Sequence, residues 1–291
     1  MEMDQLGSFG RTGTTVAEFS APFLEHAWCD SAPTAITTLG DAVLTLERCG
    51  TVRRDGIPVS TLDRPSGFLH QVGPTVVAGG RSGTLFDALT GRPLYRHRSA
   101  LTSAATFTDH IAIGTSTGEA VVLTASSFQP VTTVTPPGSP LIDLAVANGV
   151  VLTLTADGSV TWWDMTTGER LGHKHDVHAN ACIALPDNRF ATVGTELRFW
   201  TESEATTVQS PHVLTTLAVT TDGMFIATGS PTGPLALYDL PTRDWLTTPI
   251  TGVAALHRSA DLFIACTTDG RLHEISPHAL LDGVVPRSAP S

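Results

Sequence analysis

One strand-and-turn pattern recurs along nearly the whole chain, and it limits the possible folds more than any other feature of the sequence. Its clearest copy, IDLAVANGVVLTLTADGSVTWWDMTTGERLGH, runs from Ile142 to His173 and reads as strand, tight turn, apolar strand, glycine turn and third strand. Related copies begin at Phe68, Leu217 and Val253. Their apolar residues alternate or run continuously, which is typical of strands buried on both faces. The pattern therefore predicts an all-β protein built from a repeated antiparallel unit.

One glycine marks the turn between the second and third strands of each copy. Successive glycines of this kind are 33 to 40 residues apart. Glycine suits this position because a two-residue hairpin turn requires a positive φ, which is costly for residues with a β-carbon. The turn glycines are Gly50, Gly83, Gly118, Gly158, Gly194, Gly233 and Gly270.

A sheet of this size cannot bury both of its faces alone, whereas seven such sheets arranged around an axis can. We therefore predict one domain, a seven-bladed β-propeller of four-stranded antiparallel blades. The last copy has only three strands, and TTVAEFSAPF (residues 14–23) alternates like a strand without a blade of its own. We expect this segment to complete the last blade and close the ring, which removes exposed sheet edges. The predicted blades are 33–67, 68–99, 100–138, 139–176, 177–212, 213–250 and 251–283, between tails 1–13 and 284–291.

Composition and charge narrow the class of protein. The chain is 41% hydrophobic and 15% charged, which is enough apolar surface for a large core. Its net charge of -11 would repel a phosphate backbone and argues against nucleic acid as a partner. No apolar stretch is long enough to span a bilayer, and the start MEMDQLGSFG lacks the features of a secretory signal. We expect a cytoplasmic protein that binds no membrane and carries no cofactor.

Three dipeptides in one blade resemble the WD40 repeat signature: Trp163-Asp164, Thr167-Gly168 and Gly172-His173. The resemblance implies a rigid disc with a central channel that serves as a platform for protein partners. It also implies that the links between blades and the glycine turns form one face of the disc. The basic residues and histidines that it assigns to partner binding on that face are Arg64, Arg81, Arg96, His97, Arg98 and His212.

Two short segments on this face suggest specific chemistry. Arg96-His97-Arg98 is the most basic run of an acidic chain, and arginines suit a partner that presents carboxylates. The segment GHKHDVH contains His173, His175 and His178, and such clusters bind metal when they converge in space. Because the link between blades must turn within this segment, we favour a structural histidine with solvated neighbours over a metal site.

Local motifs of common enzymes, such as GxSxG, HExxH and the P-loop, do not occur in the sequence. A catalytic site in the channel would leave no such motif, because each blade would donate a single residue. A histidine and a carboxylate that meet in a partly dry channel can act as a general base and acid. The candidates for this role are His70, Asp143, His178, His257 and Arg258.

Two functions therefore remain open at the level of sequence. The first is a WD40-like protein-interaction scaffold, or a subunit of a multiprotein complex, that binds its partners on the face of the interblade links. The second is a small-molecule enzyme with its active site in the propeller channel, as in a bacterial biosynthetic pathway.

Overall fold

The computed structural model describes residues 32–62, 66–136, 139–201, 204–260 and 262–281. Within these ranges the chain forms β-strands and a single short helix, α1 (Pro277–Leu281). Consecutive strands pair antiparallel in sequence order, which gives six four-stranded sheets and one three-stranded sheet. The predicted closing strand 14–23, both predicted tails and Arg64 lie outside the described residues. No helix in the described ranges is long and apolar enough to cross a membrane.

Each sheet is one blade, and its strands run from the channel outward in chain order. Blades 1 to 4 consist of β1 (Pro33–Leu39), β2 (Ala42–Glu47), β3 (Thr51–Arg54), β4 (Ile57–Thr61); β5 (Ser66–Val72), β6 (Thr75–Gly80), β7 (Thr84–Asp87), β8 (Pro93–Arg96); β9 (Leu101–Phe107), β10 (His110–Thr115), β11 (Ala120–Thr124), β12 (Pro130–Val134); and β13 (Leu141–Ala147), β14 (Val150–Thr155), β15 (Val160–Asp164), β16 (Arg170–Lys174). Blades 5 to 7 consist of β17 (Ala179–Ala184), β18 (Phe190–Gly194), β19 (Glu196–Thr201), β20 (Glu204–Gln209); β21 (Thr216–Val219), β22 (Phe225–Gly229), β23 (Pro234–Asp239), β24 (Asp244–Thr251); and β25 (Val253–Ser259), β26 (Leu262–Thr267), β27 (Leu272–Ile275).

The first strands of the blades contact one another in a closed circle: β1, β5, β9, β13, β17, β21, β25 and again β1. The hydrophobic core is correspondingly divided into seven layers, one between each pair of neighbouring blades. Among the described residues the layer between blades 7 and 1 is the smallest. The seven-bladed all-β propeller predicted from the repeat is confirmed.

The turn glycines hold the interblade links against the blades. The amide of His97 donates a hydrogen bond of 2.7 Å to the carbonyl of Gly83, and Val177 does the same to Gly158 at 2.8 Å. Gly83 has the expected positive φ of 72°. Gly194 and Gly233 do not, contrary to our expectation. A β-carbon at Gly194 would collide with the carbonyl oxygen of His178, so close approach of the link explains this glycine.

The aspartate of the WD-like dipeptide closes the connection between the third and fourth strands. The Oδ1 atom of Asp164 accepts hydrogen bonds from the amides of Thr166 at 2.8 Å and Thr167 at 2.7 Å. These bonds lower the pKa of Asp164. Asp87 accepts the equivalent bonds in blade 2, from Leu89 and Thr90. The aspartate is therefore used to form a turn, as its side chain favours.

Candidate functional site

The central channel is a cavity of about 590 Å³ that is lined by the first strand of every blade. Four of the five residues proposed for catalysis line it, namely His70, Asp143, His257 and Arg258. The fifth, His178, does not line this cavity. It is exposed on the link between blades 4 and 5, where its φ is 48°. A link residue cannot reach the channel wall from that position.

His70 and His257 make the same contact in two different blades. Each lies two residues beyond the β-bulge of its first strand. The Nε2 atom of His70 lies 3.0 Å from the hydroxyl of Thr106 in blade 3, and that of His257 lies 3.2 Å from the hydroxyl of Thr38 in blade 1. Burial lowers the pKa of both histidines to about 4. Both are therefore neutral at pH 7.

Asp143 lies in blade 4, at the bulge position of the first strand. Its carboxylate accepts hydrogen bonds from the amide of Leu144 at 2.9 Å and from the amide of Cys182 in blade 5 at 2.8 Å. Burial nevertheless raises the pKa of Asp143 to about 6, because desolvation of the carboxylate outweighs these two bonds. The buried Cys182 thiol also has a raised pKa, through burial and then through the charge of Asp143.

These contacts do not form an acid–base pair. The described hydrogen bonds of His70 and His257 go to threonine hydroxyls, and those of Asp143 come from two backbone amides and the Cys182 thiol. A general base needs a carboxylate or another group that orients it toward a substrate. The geometry of the channel wall therefore favours binding over proton transfer.

Acidification should destabilise the protein through the two channel histidines. Their folded pKa of about 4 lies below the unfolded value of 6.5, so the unfolded chain binds more protons between these limits and stability falls as the pH falls. Asp143 has the opposite effect on stability. Its folded pKa of about 6 lies above the unfolded value of 3.8, so its contribution to stability rises as the pH falls. We expect the double variant His70→Asn/His257→Asn to lose about 5 kcal/mol less stability than the wild type between pH 7 and 4.5, since each histidine contributes about half of this difference. Urea unfolding midpoints across this range measure the difference, and parallel curves would contradict it.

The three histidines of GHKHDVH do not converge. The Nε2 atoms of His173 and His175 lie 2.8 Å apart, and their outer nitrogens contact Thr161 and Ser159 at 2.8 and 3.1 Å. No group of three metal-ligating side chains occurs among the residues that the structure describes. Burial, followed by the neighbouring His175, lowers the pKa of His173. The pair forms a hydrogen-bonded chain along the outer strand of blade 4.

The basic run Arg96-His97-Arg98 already faces a carboxylate of the protein itself. Arg98 forms an ion pair of 2.8 Å with Glu119 of blade 3, and Nε2 of His97 lies 3.4 Å from the same carboxylate. Arg96 is exposed at the end of β8. Part of the positive charge expected to attract a partner is therefore neutralised within the molecule.

The other proposed partner-binding residues do not extend this run. Arg81 is exposed on the turn between β6 and β7. His212 is half-buried beside Gly233, where a β-carbon would collide with its ring, and burial lowers its pKa. Arg64 cannot be placed, since it lies outside the described residues. A partner site formed by these six residues stays a prediction.

A second cavity, which sequence reasoning missed, lies between blades 4 and 5. It has a volume of about 610 Å³ and is lined mainly by apolar and aromatic side chains. Trp162 and Trp200 form its floor as an edge-to-face pair with ring centroids 5.3 Å apart. Leu171, on the outer strand β16, lines one wall and is 56% exposed. We call this cavity the blade 4–5 groove.

The groove is open because one side chain is absent. Gly172 pairs with Trp162 across β15 and β16, just beyond a β-bulge. The equivalent positions carry Tyr95 in blade 2 and Thr132 in blade 3. A β-carbon at Gly172 would lie 3.5 Å from Trp162, in ordinary contact with the ring. Glycine therefore leaves space beside the indole ring, which is itself 4% exposed, where a larger residue would lie.

The connection between the third and fourth strands is shorter in blade 5 than in blade 4. In blade 4 the connection between β15 and β16 reaches the outer strand of blade 3, where Thr132 donates a hydrogen bond of 3.1 Å to the carbonyl of Thr166. That connection spans residues 165–169, whereas only residues 202–203 separate β19 from β20 in blade 5. Blade 5 thus has a connection three residues shorter than that of blade 4, and this difference in length follows from the sequence once the strands are assigned.

No protein-family model and no curated protein sequence matches the chain. Among solved structures, the computationally designed Ika8 protein aligns over 87% of this chain and 98% of the designed chain, with a TM-score of 0.63 and 19% identity. The likeness is one of fold alone. It supports the propeller architecture and assigns no function to the blade 4–5 groove or to the channel.

Proposed function

We propose that this propeller is a protein-interaction module that docks an extended peptide segment of its partner in the blade 4–5 groove. The observation that carries the proposal is the cavity at Gly172, which has the buried Trp162 at its floor and the exposed Leu171 at its wall. Aromatic and aliphatic side chains in a concave site are typical of the anchors of protein interfaces. The WD40-like pattern of Trp163-Asp164 agrees with a role as a platform for partners.

The groove suits a peptide because it combines an apolar floor with polar ends. Asn148 and Asn188 lie at its rim, together with Arg189, whose side chain is held 2.7 Å from Asp187. The indole nitrogen of Trp162 is buried and has no hydrogen-bond partner within the described part of the chain. A large apolar side chain of the peptide would pack in the groove beside Leu171 and the edge of the indole ring.

The two functions left open by the sequence are not equally supported. The interblade face retains Arg81 and Arg96 as exposed cations, but Arg98 is already paired with Glu119. An enzyme in the channel has less support, because Asp143 is not positioned against either channel histidine. The blade 4–5 groove therefore replaces the basic run as the partner site that we favour.

The test is selection of 12-residue peptides displayed on phage against the wild-type protein, followed by titration of Trp fluorescence with the selected peptides. We expect Leu171→Asp to weaken binding at least about tenfold, since an apolar contact is worth about 1.5 kcal/mol or more. Gly172→Val should abolish binding without loss of stability, because its side chain would fill the groove from a position without positive φ.

Val131→Asp is the matched control. Val131 occupies the same bulge position in blade 3 as Leu171 in blade 4 and is 50% exposed, but it does not line the groove. This variant should bind the peptides within about twofold of the wild type. Failure to select any peptide, or equal binding by Gly172→Val, would overturn the proposal. Stronger selection by a protein lacking residues 1–13 would instead identify that segment as the occupant.

A further inference from the structure

Most polar side chains of the channel lie in blades 7, 1 and 2, although Thr106 of blade 3 and Asp143 of blade 4 also line the cavity. His70 of blade 2 and His257 of blade 7 lie on either side of blade 1, which contributes Thr37 and Thr38 between them. Each histidine contacts a threonine hydroxyl of the following blade. The sector formed by blades 7, 1 and 2 therefore presents neutral hydrogen-bonding groups in a fixed arrangement.

The rest of the wall is formed mainly by small apolar residues. The first strands of blades 3 to 6 line the channel with alanines that leave the cavity wide. These alanines are Ala104, Ala105, Ala145, Ala184 and Ala218. A wall of this kind contacts an apolar body without offering it hydrogen bonds. The channel thus has a mainly polar side in blades 7, 1 and 2, and a mainly apolar side that also contains Asp143.

Arg258 gives the polar sector its charge. It follows His257 in β25, lines the cavity, is exposed, and forms no ion pair or side-chain hydrogen bond in the described part of the chain. Asp143 does not neutralise it. That carboxylate belongs to blade 4 and accepts hydrogen bonds from the amides of Leu144 and Cys182. It lies at the β-bulge, two residues before the level of His257, and is therefore roughly 7 Å nearer the interblade links.

We infer that the channel binds a small organic monocarboxylate with an apolar body. The carboxylate pairs with the Arg258 guanidinium and accepts hydrogen bonds from the polar sector, and the apolar body packs on the alanine wall. A cavity of about 590 Å³ has the size of ordinary small-molecule sites. One guanidinium beside two neutral imidazoles matches a single negative charge better than a phosphate dianion.

The experiment is calorimetric titration of the full chain at pH 7.5 with benzoate, benzamide and inorganic phosphate as probes. We expect saturable binding of benzoate, at least tenfold weaker binding of the neutral benzamide, and weak binding of phosphate. Arg258→Gln should reduce benzoate affinity at least tenfold. Arg258 is exposed, so this variant should fold, and an unchanged urea midpoint establishes that it does.

Arg81→Gln is the matched control, because Arg81 is an exposed arginine on a turn outside the channel. It should bind benzoate as the wild type does. Benzamide binding as tight as benzoate, equal loss in both arginine variants, or no saturable binding by the wild type would overturn the inference. Leu171→Asp, which is directed at the blade 4–5 groove, should leave benzoate affinity unchanged, so the two proposals fail or stand separately.

Discussion

Deletion of residues 1–23 should lower the free energy of unfolding by about 5 kcal/mol or more, or prevent folding altogether. The segment 14–23 carries Phe19 and Phe23 on one side of its alternating pattern, and burial of each is worth up to about 3 kcal/mol. The smallest core layer among the described residues lies between blades 7 and 1, where this strand is expected to pack. Urea unfolding followed by circular dichroism measures the effect.

Two controls make this prediction specific. Deletion of residues 1–13 alone should change stability by less than about 0.5 kcal/mol, because that tail is expected to lie outside the ring. In the full chain, Phe19→Asp should destabilise strongly, whereas Glu18→Lys, on the other side of the same segment, should not. Equal stability of the two deletion variants would show that the ring closes without residues 14–23.

The variant Gly83→Ala should lose about 4 kcal/mol or more of stability. Gly83 has a φ of 72°, and its β-carbon would lie 2.5 Å from the carbonyl oxygen of His97 and 2.7 Å from that of Ser99. Both atoms belong to the backbone of the link to blade 3, so neither can move aside as a side chain would. The link would have to leave the blade and would lose its hydrogen bond to Gly83.

Gly91→Ala separates this steric effect from backbone strain. Gly91 has nearly the same φ, 70°, but its β-carbon would meet nothing within 4 Å. The variant Gly91→Ala should lose about 1 kcal/mol of stability, which is the usual cost of the left-handed conformation for alanine. Thermal or urea unfolding of both variants gives the comparison. Similar losses would show that the interblade link yields and does not hold the blade in place.

The fold could be predicted from the sequence because the repeat is periodic and a single copy cannot bury both faces of its sheet. The apolar strands around Val151 and Ile264, with a glycine turn after each, are sufficient to indicate blades. Trp162 and Trp163 are both buried, each in a different layer between blades. The reason for Gly194 and Gly233 was predicted wrongly, since neither a φ nor the close approach of a link is visible in a single sequence.

The candidate sites were harder to predict, because they depend on contacts between blades. Strand positions, which a local pattern of residues shows, were enough to assign four side chains to the channel: His70, His257, Arg258 and Asp143. The counter-ion of Arg98 comes from the following blade, so this ion pair cannot be recognised from a local pattern of residues. Pairing across blades is set by register and packing, which periodicity does not specify.

Gly172 illustrates the same limit for the blade 4–5 groove. In the sequence it belongs to the Gly172-His173 dipeptide and contributes to the WD40-like signature. In the structure its importance lies in a missing side chain above Trp162 and in the larger residues, Tyr95 and Thr132, at the equivalent positions of two other blades. That comparison requires the strand register, including the bulge in each outer strand.

A photoreactive amino acid incorporated at position 171, in cells that express the protein naturally, tests the central claim most directly. The claim predicts a cross-linked partner from position 171 that disappears when Gly172→Val is added, and no such product from position 131, the counterpart in blade 3. Identical cross-links from both positions, or a product at 171 that survives Gly172→Val, would contradict it.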